Sequence, residues 1–355
     1  NNFDTSNVTT MKSLFYNCKK LNPLNLSSFD TSKVTNMENM FYYCNELFSL
    51  DLTNFNTSNA TKMSMMFFNC GNLKSLNLDN FDTKNVKTMN KMFQNCYKLN
   101  DLNVSNFDVS EVISMSFMFD NCRSLINLNL SSFNTRKTND MQYMFNNCKQ
   151  LTKLYLPNFN TSIVTKMLNM FNNCIELKNL DLSSFTAPEV LSMNNMFSGC
   201  QSLSTLRINN LGKSKVQNLA NMFSGCSLLS SLDLSNFFTP EATRMDNMFK
   251  KCLTLTYLDI SNFDVKKVKQ MQSMFYNCWS LTSLNLSNFD TSIISDMDKI
   301  FYGCSKLSYL NLDNFKTVAI KNMSYVFYEC SSLTSLNLES FSTNNVNDTQ
   351  NMFYG

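Results

Sequence analysis

The sequence predicts an α/β solenoid, a right-handed curved superhelix of about 13.5 tandem coils of 26 residues each. Three observations predict it. Thirteen cysteines run from Cys18 and Cys44 to Cys304 and Cys330, and every spacing between neighbours is 26 residues. Phenylalanine keeps the same interval in two columns, Phe15, Phe41, Phe67 onward to Phe353, and Phe3, Phe29, Phe55 onward to Phe341, the second interrupted once at Leu211. Inside each interval the hydrophobic period changes from the two of a strand to the 3.6 of a helix. A fixed period of this length marks stacked repeats, and varied loops could not hold the count. The 355 residues are therefore read as one repeat domain, 1–355, itself a stretch of a longer array, rather than the two or three domains that length alone suggests.

The strand comes first in each coil. The copy from Leu21 to Glu46 reads LNPLNLSSFDTSKVTNMENMFYYCNE. Leu21, Leu24 and Leu26 form L-x-x-L-x-L, the strand signature of leucine-rich repeats. Leu24 and Leu26 alternate with Asn25, as one buried face requires. The Asp30-Thr31-Ser32 run after Phe29 reads as an Asx or Ser/Thr turn. Met37, Met40, Phe41 and Cys44 then fall at i, i+3, i+4 and i+7, the apolar stripe of one short helix.

The residue before each cysteine is mostly Asn or Gly, as at Asn17, Asn69, Asn95, Gly199, Gly225 and Gly303. Both tolerate the left-handed αL region, so this slot is read as the stop of each helix. Tyr43, Lys251 and Glu329 occupy it against preference, at about 1 kcal/mol each. About nine positions of every 26 point inward, filled by Leu, Phe, Val, Met and Cys. No coil buries these alone, so stability is shared between stacked neighbours. Strands about 4.8 Å apart opposite helices about 8–10 Å apart predict curvature with the strands on the concave side.

Composition removes several function classes. Histidine is absent, and with it the commonest general base, the commonest zinc ligand and every Ser–His or Cys–His pairing. With 30 basic and 27 acidic residues, net +3, and no block of like charge, no nucleic-acid face is indicated. Six glycines form no phosphate-binding loop. No apolar run approaches the roughly 18 residues of a membrane helix, so no membrane insertion is expected of this segment. The reading is non-enzymatic, with no catalytic, cofactor or metal residues. One Cys per coil without His gives no clustered metal ligands, and an odd, evenly spaced row suits reduced buried thiols better than disulfides.

The stretch Met274 to Thr291, MFYNCWSLTSLNLSNFDT, together with the pattern M-F-x-x-C-x-x-L-x-x-L-x-L-S-x-F-D-T-S-x-V-T-x-M, resembles the BspA-like leucine-rich repeat. The resemblance covers the whole chain in phase. It implies a secreted or surface-attached microbial protein engaged in adhesion to host proteins or other cells, and it carries no catalytic residues.

Candidate binding residues lie on the strand face. Between the strand leucines runs a row of Asn and Asp that includes Asn25, Asp51, Asn129, Asp181, Asp233, Asp259, Asn285 and Asn311. It suits either an extended ligand or an amide ladder bonding along the stack. Tyr155 and Arg207 interrupt the row, Lys153 shares the Tyr155 strand, and Tyr257 and Tyr309 lie on the same face. Tyr and Arg are favoured at interface hot spots. Trp279, the one Trp, sits in the turn after Cys278 and is expected to be exposed. A Thr row at Thr5, Thr31, Thr57 and Thr83 would suit an ice- or crystal-binding surface, although Val109, Ala187 and Lys213 break it. Sequons at Asn25, Asn59, Asn103, Asn129 and Asn285 matter only in a eukaryotic secretory route.

Two functional readings remain open at this point. One is a cell-surface or secreted module that binds a protein or glycan on another cell or matrix. The other is a structural segment of an extracellular filament or surface layer, assembling end to end with itself. The consensus-like terminal coils, with Phe3 and Phe353 in register, favour the second.

Overall fold

The computed structural model describes residues 3–211 and 215–355, so Lys213 of the Thr row lies outside the described residues. Two compact units divide the chain, Asn1–Leu177 and Lys178–Gly355. Both are built from the same 26-residue coil, and both are leucine-rich-repeat-like solenoids with short parallel strands.

In the first unit, β1 (Ser75–Leu76) pairs in parallel with β2 (Asp101–Leu102), and β3 (Asn127–Asn129) with β4 (Lys153–Tyr155). In the second, β5 (Asn179–Asp181) pairs with β6 (Thr205–Arg207), and β7 (Ser283–Asn285) with β8 (Tyr309–Asn311). Partners lie 26 residues apart, for example Leu128 and Leu154, so equivalent residues form columns. The central Leu of each three-residue strand is buried and its neighbours face outward, the alternation that the L-x-L spacing requires. The expected strand in every coil is thus shorter and sparser than the spacing suggested.

The helix does not form. No described residue is helical, and the segment from Met89 to Cys96 shows why. Its N–H groups divide into two alternating sets. Lys91, Phe93 and Asn95 donate to the carbonyls of Ser116, Met118 and Asp120 in the next coil at 2.8–2.9 Å. Met92, Gln94 and Cys96 close tight turns on Met89, Lys91 and Phe93 at 3.1–3.2 Å. An α-helix would send every N–H to the carbonyl four residues back; here half of them bond to the neighbouring coil instead. Two residues per segment adopt αL, Lys91 at φ 60° and Asn95 at φ 65°. The slot before the cysteine is therefore αL as expected, including Tyr43, Lys251 and Glu329 at φ 60°, 58° and 55°. It closes a turn rather than a helix. A second αL column four residues earlier, at Asn39, Met65, Lys91, Phe117 and Tyr143, was not anticipated. Without helices, the 8–10 Å spacing from which curvature was predicted has no basis.

The core is a set of columns. Phe41, Phe67, Phe93, Phe119 and Phe145 are fully buried, with successive ring centroids 5.6–5.8 Å apart and planes within 7°. In the second unit Phe197, Phe223, Phe249, Phe275, Phe301 and Phe327 repeat the arrangement at 5.6–5.8 Å. The cysteines from Cys44 to Cys148 and from Cys226 to Cys330 are buried and form no disulfide, and Cys18 is half-exposed. The Thr row is also internal. Thr31, Thr57 and Thr83 are at most 1 % exposed. Thr83 donates to the Asp108 carbonyl at 2.9 Å and accepts from the Asp108 N–H at 2.8 Å. An ice-binding surface is thereby overturned, because the hydroxyls are consumed in joining coils.

Candidate binding face

The turn chemistry of each coil determines what its strand can offer. In the Asn/Asp row each side-chain oxygen accepts the N–H two residues on. Ser27 donates to Asn25 at 2.9 Å, Ser131 to Asn129 at 3.0 Å, and Ser287 to Asn285 at 3.1 Å. Ser183, Ser235 and Ser261 do the same for Asp181, Asp233 and Asp259 at 2.9–3.0 Å. These are Asx turns that end the strands. The row is therefore neither an amide ladder along the stack nor a set of uncommitted ligand groups; half of each side chain is spent locally. Serine hydrogen bonds hold the Asp181 and Asp233 carboxyls below the ordinary carboxylate range, with Arg207 a further, smaller influence on Asp181. For Asp259 the Ser261 backbone N–H is the main cause, and Asp233 opposes it.

The break at Tyr155 has a backbone reason. Two residues on stands Pro157, which has no N–H for an Asx side chain to accept. Tyr155 is free to differ because its coil has nothing to cap. The signal was present in the sequence. At the other break, Arg207 lies in register with Asp181 and approaches its carboxylate to 3.7 Å. Both side chains are more than half exposed, so the pair contributes little.

The predicted face residues named above are exposed, except Asn311, which is half-buried. In the first unit Lys153 and Tyr155 point outward from β4 beside Asn127 and Asn129 of β3. In the second unit Tyr257 and Tyr309 are 63 % and 55 % exposed. Tyr309 lies in register with Ser283, and Tyr257 one coil before Ser283, so a serine separates the two tyrosines. Asp233, Asp259, Asn285 and Asn311 form the adjacent column. Trp279 is exposed in the turn that leads to β7, where it borders a shallow depression with Lys306 and Glu329 rather than joining the strand face.

Two aromatic ladders were missed. Tyr16, Tyr42 and Phe68 stack at 4.6 Å in the first unit. Tyr276, Tyr302, Tyr328 and Tyr354 stack at 4.6–4.9 Å in the second. The signal was the residue after each core Phe, an aromatic in successive coils.

Fold and face together define a leucine-rich-repeat-like solenoid that presents an exposed, patterned strand surface. The chain belongs to the family described as Mycoplasma protein of unknown function, DUF285, whose overlapping matches cover residues 1–100, 66–185, 125–210, 153–254, 192–284 and 277–355. No curated protein matches it. Among solved structures it is similar to a leucine-rich repeat protein of T. pallidum, with 23% identity, a TM-score of 0.35, 47% of this chain and 69% of that one covered. It is also similar to a leucine-rich cell surface protein of Faecalibacterium prausnitzii, with 17% identity, a TM-score of 0.33 and coverage of 75% and 83%. An internalin of Listeria monocytogenes matches at 14% identity, with a TM-score of 0.28 and coverage of 79% and 84%. Among the described residues no helix is long and apolar enough to cross a membrane.

Proposed function

We propose that this chain is a non-enzymatic recognition module, cell-surface or secreted, of the BspA-like type, which binds a protein or glycan of another cell or matrix through its strand face. One observation carries the reading. The regular residues of that face have internal work, the leucines in the core and the Asn/Asp row in Asx turns. Tyr155, Tyr257 and Tyr309 are the exceptions: all are more than half exposed, with no ring stacked on them among the described residues. Exposed tyrosines on a rigid platform supply contact area at low entropic cost. The surface placement is in keeping with the likeness to a leucine-rich cell surface protein of Faecalibacterium prausnitzii.

The test is adhesion of the purified full chain to cell and matrix preparations. Alanine at Lys153 and Tyr155, and separately at Arg207, Tyr257 and Tyr309, should weaken capture by about 2 kcal/mol or more for at least one position. The circular-dichroism spectrum should not change. A chain that binds no surface would end this reading, as would binding indifferent to every one of these positions. Self-association in its place would favour the filament segment.

A further inference from the structure

We infer that the depression beside Trp279 is a second binding site, for the guanidinium of an arginine presented by a protein partner. It lies off the strand face and does not depend on the recognition reading above.

The chain itself shows what such a place holds. Trp279 stands in the column of residues that follow the cysteines, where Tyr97 and Arg123 are its equivalents in earlier coils. In the first unit the Arg123 guanidinium covers the Tyr97 ring from the next coil, 4.9 Å from its centroid. It also donates to Asn121 Oδ1 at 3.3 Å, an oxygen offered by the αL slot before Cys122. An aromatic face and a side-chain oxygen thus hold the guanidinium together. Covered in this way, Tyr97 is half-buried.

The second unit repeats the ring without the arginine. One coil after Trp279 stands Ser305, too short to cover the indole, and Trp279 is 48 % exposed. A depression of about 460 Å³ opens there, lined by Trp279, Ser280, Gly303, Ser305, Lys306 and Glu329. All of these belong to the coil of Trp279 or to those that follow it, the side from which Arg123 covers Tyr97. The αL slot is Gly303, at φ 69°, where a Cβ would collide with Asn277, so no side chain closes the depression. The same slot one coil on holds Glu329, whose exposed carboxylate forms no ion pair among the described residues. Coils in this stretch lie 4.7 and 4.6 Å apart along the Tyr276–Tyr302–Tyr328 stack. A guanidinium at the level of Ser305 is therefore one coil from the indole and one from Glu329. It can make both contacts that Arg123 makes, with a carboxylate in place of an amide oxygen.

The groups discriminate among occupants. An anion would meet the negative π surface of the indole and Glu329, with Lys306 alone in its favour. An ammonium is more strongly hydrated than a guanidinium and cannot lie flat on a ring while forking onto a carboxylate. An apolar side chain would use the indole and leave Glu329 idle. Lys306 opposes any cation, so neutralising it should tighten binding.

The sole Trp of the chain reports on the site directly. The full chain is titrated with acetyl-Gly-Arg-Gly-amide at constant ionic strength while Trp279 emission is followed. The citrulline peptide, of the same shape without the charge, and phosphocholine are the comparisons. The arginine peptide should give a saturable change, half-complete below about 0.1 M, as one cation–π contact and one exposed ion pair allow. The citrulline peptide should bind about fivefold more weakly or worse, Glu329→Gln should weaken the arginine peptide, and Lys306→Gln should strengthen it. Ser305→Arg places the chain's own guanidinium over Trp279, as Arg123 stands over Tyr97. It should protect Trp279 from acrylamide quenching and abolish peptide binding. Equal affinity for the citrulline peptide, measured on the unaltered chain, overturns the proposal, as does a folded Ser305→Arg chain that binds as wild type. Tighter binding of phosphocholine than of arginine would assign the site to lipid headgroups and overturn it too. Alanine at Tyr155, Tyr257 and Tyr309 should leave the titration unchanged, which separates this outcome from that of the strand-face reading.

Discussion

Cys96 donates its thiol to the carbonyl oxygen of Phe67, 29 residues earlier and one coil back, at 3.2 Å. The same oxygen accepts the Cys70 N–H at 3.1 Å, so one carbonyl joins a turn to the next coil. The contact repeats from Cys70 on Phe41 to Cys174 on Phe145, and from Cys226 on Phe197 to Cys330 on Phe301. It explains why the column is Cys rather than Ala or Val: the thiol is apolar enough to be buried yet retains a donor.

Burial pushes the Cys96 and Cys252 thiols from an ordinary 9.0 up to about 12, both fully buried. The folded state then holds protons that the unfolded chain releases. Stability is full below pH 9 and falls as pH rises from there towards 12, by about 1.4 kcal/mol per pH unit for each thiol. Urea unfolding of wild type and Cys96→Val between pH 8 and 11 should show the variant with the shallower decline. Equal slopes would contradict the assignment. In native protein a thiol reagent should label Cys18, which is half-exposed, well before any of the buried cysteines.

Phe119 stacks between Phe93 and Phe145 at 5.7 and 5.8 Å and is fully buried. Phe119→Ala should cost about 3–5 kcal/mol through lost burial and the cavity left behind. Because each coil touches only its neighbours, hydrogen exchange should accelerate around that coil and leave remote coils protected. Uniform loss of protection along the chain would show that the columns are not nearest-neighbour coupled.

Thr83→Val tests the internal Thr row. The hydroxyl both donates to and accepts from Asp108, and valine preserves the volume but leaves the Asp108 N–H and carbonyl short of that partner. A loss of about 1–3 kcal/mol is expected in denaturant titration. The converse change, Val109→Thr, fills a row position that lacks the hydroxyl and should be neutral or stabilising by about 1 kcal/mol. If Thr83→Val is silent, the row is packing alone.

Much of this was legible in the sequence. The coil count, the buried L-x-L leucines, the Phe columns and the Asn/Gly slot before each Cys all follow from position and residue type. The helix was misread because Met37, Met40, Phe41 and Cys44 have a helical spacing that a ribbon of tight turns shares. Both arrangements turn these four residues inward. The discriminating signal was the second αL column, where Asn39, Asn169, Asn195, Asn221 and Asn247 all lie four residues before the first. Two αL slots in eight residues are incompatible with a helix. The Thr row was misplaced for a related reason: a polar type in an even column reads as surface until the carbonyl it meets in the next coil is known. The face residues were located correctly as exposed, yet their grouping was not legible. Lys153 and Tyr155 belong to one unit and Tyr257 and Tyr309 to the other.

The αL columns give the last prediction. Lys251 holds φ 58° where Asn277 and Gly303, its equivalents one and two coils on, hold 57° and 69°. For Lys the left-handed region costs about 1–2 kcal/mol, whereas Asn pays less because its short polar side chain bonds locally. The Lys251 side chain is exposed, so little packing is lost on replacement. Its backbone N–H bonds to the Tyr276 carbonyl at 2.7 Å in the next coil, and that bond survives any side-chain change. Lys251→Asn should therefore stabilise the protein by about 0.5–1 kcal/mol. Lys251→Gly should gain less, since glycine adds entropy to the unfolded chain. The reverse change, Asn277→Val, should cost at least as much as Lys251→Asn gains, because a β-branched residue is the poorest fit to αL. Denaturation midpoints of the three variants should order as Lys251→Asn, Lys251→Gly, then Asn277→Val. A helix in this segment would reverse the first two predictions, since Lys is a better helix former than Asn or Gly.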